Sequence, residues 1–178
     1  MSPPETRSRS YRRLLVVHHS PSASMRELTE AVVAGTHDEA IEGVGVSVRP
    51  ALQATAQDVL GANGIILGTP ANFGYMSGAL KHFFDSTFLQ IGGALSDDGS
   101  AGEGSGERAR SDPGPTPYGL YVHGRYDTTG AIRAVTSIAG ALPWRLSAQV
   151  LDVLGDIDDG DRSRAYELGA TLAALLME

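Results

Sequence analysis

The sequence contains no cysteine among its 178 residues. Disulfide bonds, thiolate-bound iron–sulfur clusters and cysteine zinc sites are therefore excluded. Positive charge is also scarce, with 14 lysine and arginine residues against 21 aspartate and glutamate residues and a formal net charge of −7. This acidic balance argues against a general binder of nucleic acid or of anionic membranes.

Long apolar runs are missing as well, and none approaches the roughly 20 residues that a membrane-spanning helix requires. Arg12 and Arg13 precede the apolar residues 14–17, as in a twin-arginine signal, but polar residues 18–20 end this run far too early. We interpret the run as a first strand and expect a soluble, cytoplasmic protein. Residues 1–12 are rich in serine, proline and arginine without periodicity, which predicts a disordered lead-in.

The remaining residues, 13–178, have the length of about one domain, which can bury roughly 70% of its unfolded surface. Their apolar residues alternate between the short runs of buried strands and the spacing of helices. Strands are predicted at 14–18, 44–48, 65–67, 118–122 and 148–153, and helices at 24–34, 54–60, from 76 onward, 128–141 and 161–176. This alternation predicts an α/β fold: a doubly wound sheet of five parallel strands in the order 2-1-3-4-5, with helices on both faces.

Two local features can also be predicted, a helix cap and a long loop. Asp127 is the predicted N-cap of the fourth helix. Residues 92–117 are rich in glycine, serine, proline and charge, and we expect a mobile surface loop there. Because this loop leads from a helix into a strand, it leaves the edge of the sheet opposite the strands' carboxyl ends. It would reach an active site only across an oligomer interface.

In a sheet of this order, the loops after strands 1, 3 and 4 meet at the switch point where open α/β sheets bind ligands. The predicted cofactor-binding residues are Ser20, Ser22, Ala23, Ser24 and Met25 in the first loop, Thr69, Pro70, Ala71, Asn72, Phe73 and Gly74 in the second, and His123, Gly124, Arg125 and Tyr126 in the third.

The chemistry of the three loops suits one ligand with a phosphate at one end and a flat ring at the other, as in FMN. The first loop offers hydroxyls and free N–H groups at a helix start, which favour phosphate. Ordinary N-capping by Ser22 or Ser24 explains the same residues equally well. The second loop offers backbone N–H groups and aromatic rings, with Gly74 permitting a positive φ. The third offers Arg125 for negative charge and Tyr126 for stacking.

The sequence SPSAS at 20–24, together with GTPANFGYMSGALKHFFD at 68–85, resembles the flavodoxin-like superfamily, above all its NAD(P)H:quinone oxidoreductase and NAD(P)H-dependent FMN reductase branches. In such proteins a turn of this kind lies along the isoalloxazine ring, and a hydroxyl-rich first loop holds the phosphate. The resemblance covers most of residues 14–176. It implies a resident FMN, NAD(P)H as reductant, a quinone or similar small acceptor, and a possible dimer or tetramer. Because the cofactor carries this chemistry, no catalytic side chain is named.

Two other functions are compatible with the same sequence features: an electron carrier of the flavodoxin type, and a flavin-free α/β interaction module. A resident dinucleotide is disfavoured, since the first loop has no G-x-G-x-x-G. The acidic run 156–161 resembles a calcium loop, but its glycine falls at the fifth position instead of the sixth. Helix capping explains this run better.

Overall fold

A computed structural model describes residues 11–100, 102 and 114–177. These residues form seven strands and five helices. In chain order they are β1 (Arg12–His18), α1 (Ala23–Thr36), β2 (Val44–Pro50), α2 (Ala56–Leu60), β3 (Gly64–Asn72), β4 (Tyr75–Met76), α3 (Gly78–Thr87), β5 (Thr116–Gly124), α4 (Thr129–Gly140), β6 (Trp144–Leu146), β7 (Leu151–Leu154) and α5 (Asp159–Ala174).

The main sheet has the order β2-β1-β3-β5-β6, with β7 also paired to β5, and all of these pairs are parallel. The predicted order 2-1-3-4-5 is confirmed when β6 and β7 are counted together as the fifth strand. The single strand predicted at 148–153 is wrong in detail. Residues 147–150 stand opposite only Gly119 and Leu120 of β5, so the surplus residues bulge out and divide the strand in two.

The second loop is more regular than predicted. Strand β3 continues through Pro70 to Asn72, where the sequence suggested an end at Leu67. Proline is tolerated because β1 stops level with Gly68, so β3 has lost its neighbour on that side. The strand then turns back into β4, which pairs antiparallel with it. Helix α3 therefore begins at Gly78, two residues later than expected, with Ser77 as its N-cap.

Other boundaries also differ. Helix α4 has Thr128 as N-cap, although the predicted cap, Asp127, still accepts a hydrogen bond from the Thr129 N–H at 2.9 Å. At α5 the capping interpretation is confirmed, because Asp158 and Asp161 form a reciprocal capping box.

Most of the predicted lead-in and 12 of the 26 residues of the predicted loop lie outside the described residues, which exclude 1–10, 101, 103–113 and 178. Strand β1 includes Arg12, the last residue of the predicted lead-in 1–12. Strand β5 includes Thr116 and Pro117, the last two residues of the predicted loop 92–117. Within the described part of the chain, no helix is both long and apolar enough to cross a lipid bilayer.

Apolar side chains are buried on both faces of the sheet, with α1 and α5 on one face and α2, α3 and α4 on the other. Helices α1 and α5 approach each other through two glycines. A Cβ atom at Gly35 would lie 1.9 Å from the Tyr166 carbonyl oxygen, and one at Gly169 would lie 1.9 Å from the Val32 carbonyl oxygen. The two helix backbones are in contact at these glycines, which fixes α1 against α5.

Candidate functional site

The register of the central strands brings the three predicted loops to one edge of the sheet. His18, the last residue of β1, is level with Gly68 of β3, which is level with Tyr121 of β5. The His19 N–H donates to the Gly68 carbonyl at 2.9 Å, so the first loop leaves directly beside the second. Since neighbouring strands lie about 4.8 Å apart, the first and third loops start about 10 Å from each other.

The first loop presents backbone donors at the start of α1. Ser22 is the N-cap, and its Oγ accepts from the Met25 N–H at 3.2 Å. The capping role left open by the sequence is thus real. Among the described residues, the N–H groups of Ser22, Ala23 and Ser24 donate to no other group. An anion above these three would meet unpaired donors at the positive end of a 14-residue helix.

Two residues predicted in the first loop already have partners within the fold. The side chain of Met25 is fully buried, and its N–H is taken by Ser22. The Ser20 hydroxyl lies 2.9 Å from Nδ1 of His18 and 2.8 Å from Oγ1 of Thr29. It is therefore held inside the loop.

The second loop is a tight hairpin that ends in an exposed aromatic ring. Ala71 pairs with Met76 and Asn72 with Tyr75, which leaves Phe73 and Gly74 as the two turn residues.

Both turn residues have positive φ, 51° at Phe73 and 76° at Gly74, as the tightest hairpin turns require. Phe73 is the one described residue other than glycine with a positive φ, and its side chain is fully exposed. Burial does not hold it in this unfavourable conformation. Strain without burial is typical of functional positions.

The base of the hairpin is fixed from inside. Thr69 is fully buried, and its Oγ1 donates to the Pro70 carbonyl at 2.9 Å and accepts from the Ser77 N–H at 3.0 Å. Thr69 thus joins β3 to the start of α3. The predicted residues Thr69 and Pro70 are both buried, while Asn72 and Phe73 form the accessible tip.

The third loop is tied to the segment after β7. Nε2 of His123 donates to the Gly155 carbonyl at 2.7 Å, and the Gly155 N–H donates to the Gly124 carbonyl at 2.9 Å. Arg125 forms an ion pair with Asp156, with 2.5 Å between Nη1 and Oδ1. The hydrogen bond and positive charge of Arg125 lower the pKa of the Asp156 carboxyl.

This fourth segment, which follows β7, was not predicted as part of the site. Its acidic run, which includes Asp156, is already explained by helix capping. Tyr126 extends from the third loop with 91% of its surface exposed.

The second and third loops also pack together. A Cβ atom at Gly130, in the first turn of α4, would lie 2.2 Å from the Gly74 carbonyl oxygen, and one at Gly124 would lie 3.1 Å from Cβ of Ala71. A Cβ atom at Gly74 would lie 3.4 Å from a carboxylate oxygen of Asp127. Hydrogen bonds from Thr129 lower the pKa of this carboxyl. Asp127, which the sequence suggested only as a helix cap, therefore lies beside the hairpin turn.

These loops form a row at the carboxyl edge: free helix N-terminal donors, an exposed hairpin tip and an exposed tyrosine. Residues 16–101, which include the first two loops, match the protein family described as NADPH-dependent FMN reductase. A flavodoxin from Aquifex aeolicus is 30% identical over 83 residues, which cover 47% of this chain and 44% of that protein. The match therefore spans less than half the length of this curated relative.

Solved structures match over nearly the whole chain. A flavodoxin from the domain Archaea has a TM-score of 0.69 at 17% identity, and the match covers 92% of this chain and 98% of that flavodoxin. A flavodoxin, WrbA-like protein from Agrobacterium tumefaciens has a TM-score of 0.65 at 17% identity, and the match covers 93% of this chain and 97% of that protein.

The protein thus has the flavodoxin-like α/β fold. The resemblance predicted from the sequence is confirmed: residues 16–101 match the FMN reductase family, and the fold is that of flavodoxins.

Proposed function

We propose that the protein is an FMN-binding flavoprotein that passes electrons from NAD(P)H to a quinone or a similar small acceptor. The observation that carries this proposal is the juxtaposition of unpaired helix N-terminal donors with a strained, exposed aromatic turn on adjacent strands. The family match over residues 16–101 supports FMN as cofactor and nicotinamide as reductant. The cytoplasmic location and the dimer or tetramer remain expectations.

The donor set fits the two ends of FMN. The N–H groups of Ser22, Ala23 and Ser24 would hold the phosphate, where hydrogen bonds to a charged acceptor contribute roughly 1.5–3 kcal/mol each. At the other end, the N–H groups of Phe73 and Gly74 are unpaired among the residues described, and they would face the polar edge of the ring. The rings of Phe73 in the second loop and Tyr126 in the third offer flat apolar surfaces on which the flavin ring would stack.

When bound, FMN supplies the hydride and electron transfer. The protein therefore binds and orients the cofactor and adjusts the charge around it. The hairpin and the α4 start hold the second and third loops rigidly against each other. Asp127 places negative charge beside the turn, while the charge of Arg125 is largely compensated by Asp156. Backbone N–H groups are therefore the main stabilisers of negative charge on the ring in this proposal, ahead of Arg125.

A titration with FMN tests the cofactor, and one substitution locates its phosphate. Ser22→Asp keeps an N-cap of equal quality, because aspartate and serine cap helices similarly. It also places a carboxylate against the phosphate, so FMN affinity should fall at least tenfold while helix stability is kept. Ser22→Asn, an uncharged cap, is the matched control and should bind nearly as wild type. Equal affinities for Ser22→Asp and Ser22→Asn would place the phosphate elsewhere.

A flavodoxin-type electron carrier is the second candidate, favoured by two exposed rings, Phe73 and Tyr126, of the kind that enclose a flavin on both faces. Anaerobic mixing with NADH or NADPH separates the two. A reductase should lose its flavin absorbance rapidly on mixing, whereas a carrier should keep it until a partner protein is added. A protein that never binds FMN would instead be an interaction module.

A further inference from the structure

A chain of hydroxyl groups runs from the core to the first loop. Tyr121 is fully buried on the face of the sheet covered by α1 and α5, and its hydroxyl lies 2.7 Å from Oγ1 of Thr29. Thr29 Oγ1 lies 2.8 Å from Oγ of Ser20, which lies 2.9 Å from Nδ1 of His18. The chain connects three elements, β5, α1 and the end of β1.

Gly68 makes room for this chain. His18, Gly68 and Tyr121 stand level on three adjacent strands. A Cβ atom at Gly68 would lie 2.0 Å from the Tyr121 ring, so that ring occupies the space that a side chain would take. The glycine of the Gly-Thr-Pro segment thus has a packing role that the sequence did not reveal.

The direction of each hydrogen bond follows from counting protons. The Thr29 hydroxyl donates to the Met25 carbonyl at 2.8 Å, and a carbonyl can only accept. Since Thr29 has one hydroxyl proton, it must accept from both Tyr121 and Ser20. Ser20 has then used its own proton, so it must accept from His18.

We propose that His18 carries a proton on Nδ1 and, with Thr29 and Tyr121, positions the first loop, while Ser20 supports the loop and does not donate to the phosphate. The role as an FMN ligand predicted for Ser20 is replaced by a structural one in this proposal. The loop is fixed before a ligand arrives, which lowers the ordering cost of binding. The claim about binding rests on the proposed function, whereas the claim about His18 does not.

The tautomer can be read directly in the ligand-free protein. Long-range ¹H–¹⁵N NMR at pH 8 distinguishes neutral histidine protonated on Nδ1 from that protonated on Nε2. His18→Asn assigns the signal among the five histidines by removing it. We expect a proton on Nδ1 of His18. A proton on Nε2 with a bare Nδ1 would overturn the proposal, because Ser20 would then be the donor to His18.

The positioning role is tested by two substitutions at a residue that lies inside the protein. Thr29→Val keeps the shape but removes the central hydroxyl, and we expect FMN affinity to fall about five- to tenfold, the equivalent of one hydrogen bond. Thr29→Ser keeps the hydroxyl and should restore affinity to within about twofold. Unchanged affinity in Thr29→Val would overturn the positioning role.

A third variant, His18→Asn, tests whether His18 acts only as a hydrogen-bond donor to Ser20. In His18→Asn, the amide N–H can replace Nδ1–H as donor to Ser20, so the loop should keep its FMN affinity at pH 8. Loss of affinity in this variant with the fold intact would mean that the imidazole itself contacts the ligand. If wild type shows the Nδ1 proton but binds no FMN, the proposed function fails and the hydrogen-bond chain stands.

Discussion

Two regions of the protein depend on glycine for different physical reasons. Where α1 crosses α5, Gly35 and Gly169 are needed because the helices are in close contact. A side chain at either position would clash with a carbonyl oxygen of the other helix. At the hairpin tip, Gly74 is needed for its positive φ, because an added Cβ atom there would meet only a carboxylate oxygen of Asp127, at an ordinary contact distance of 3.4 Å. The first region is buried and relaxed, whereas the second is exposed and strained. In our proposal, the helix crossing serves stability and the turn serves function.

The largest effect should come from filling the helix crossing. Gly169→Ala sets a methyl group against the Val32 backbone, which cannot move without shifting α1, so we expect a loss of about 3 kcal/mol in unfolding free energy. Urea unfolding followed by fluorescence of Trp144, the one tryptophan and a core residue, measures this.

A control for this prediction is Gly140→Ala at the end of α4, where an added Cβ atom would meet nothing within 4 Å. There we expect no loss and a gain of up to about 1 kcal/mol, because alanine restricts the unfolded chain. Equal values for the two variants would remove the distinction between a glycine kept for space and one that is not.

The turn should respond in the opposite direction. Phe73→Asn places a residue that tolerates positive φ where phenylalanine is strained, and the exposed ring loses no burial. We expect the unfolding free energy to rise by about 1 kcal/mol. FMN affinity should fall by up to about tenfold, since a stacked ring contributes roughly 0.5–1.5 kcal/mol.

Tyr126→Asn serves as the comparison for Phe73→Asn, since it removes an equally exposed ring from a residue with ordinary φ. Its stability should stay within about 0.5 kcal/mol of wild type. If Phe73→Asn proved less stable than wild type, strain at the turn would not be a cost of function.

A smaller effect arises at His18, the last residue of β1, which lies in neither region. Burial lowers its pKa, and the nearby charge of His19 lowers it further. The residues level with it on β2 and β3, Pro50 and Gly68, do not titrate. Because the unfolded chain then binds a proton more readily than the folded one, stability is complete above about pH 6.5. It falls as the pH drops below that value.

This dependence can be isolated by measuring urea midpoints of wild type and His18→Asn between pH 5 and 8. The variant should show a shallower decline on the acid side, since one proton-binding difference has been removed. The same slope in both proteins would mean that His18 is not desolvated in the folded state.

The parts of the fold that could be predicted are those with local signals. Apolar periodicity marked the central strands and most helices, and the loops after three of the strands followed from their order. Strand β4 could not be found, because a two-residue strand has no period. Phenylalanine disfavours a positive φ, so no sequence pattern predicts this conformation at Phe73.

The site was predictable only in part for a related reason. The loops could be placed, but the partners of their side chains are set by strand register. Thr29 and Tyr121 are 92 residues apart in the sequence. Arg125 was expected to face the ring, yet it pairs with Asp156, 31 residues further along.

The smallest effect on stability should come from the exposed ion pairs, and here the two regions differ in function alone. Asp156→Asn and Glu27→Gln each remove one negative charge from an exposed pair, the first beside the site and the second between α1 and Arg162 of α5. Neither should shift the urea midpoint measurably, because exposed pairs contribute little. Asp156→Asn alone frees the Arg125 guanidinium beside the site, so it should tighten FMN binding a few-fold at low salt. That gain should disappear as ionic strength rises. The same gain in Glu27→Gln would show that net charge, and not the position of Arg125, controls the affinity.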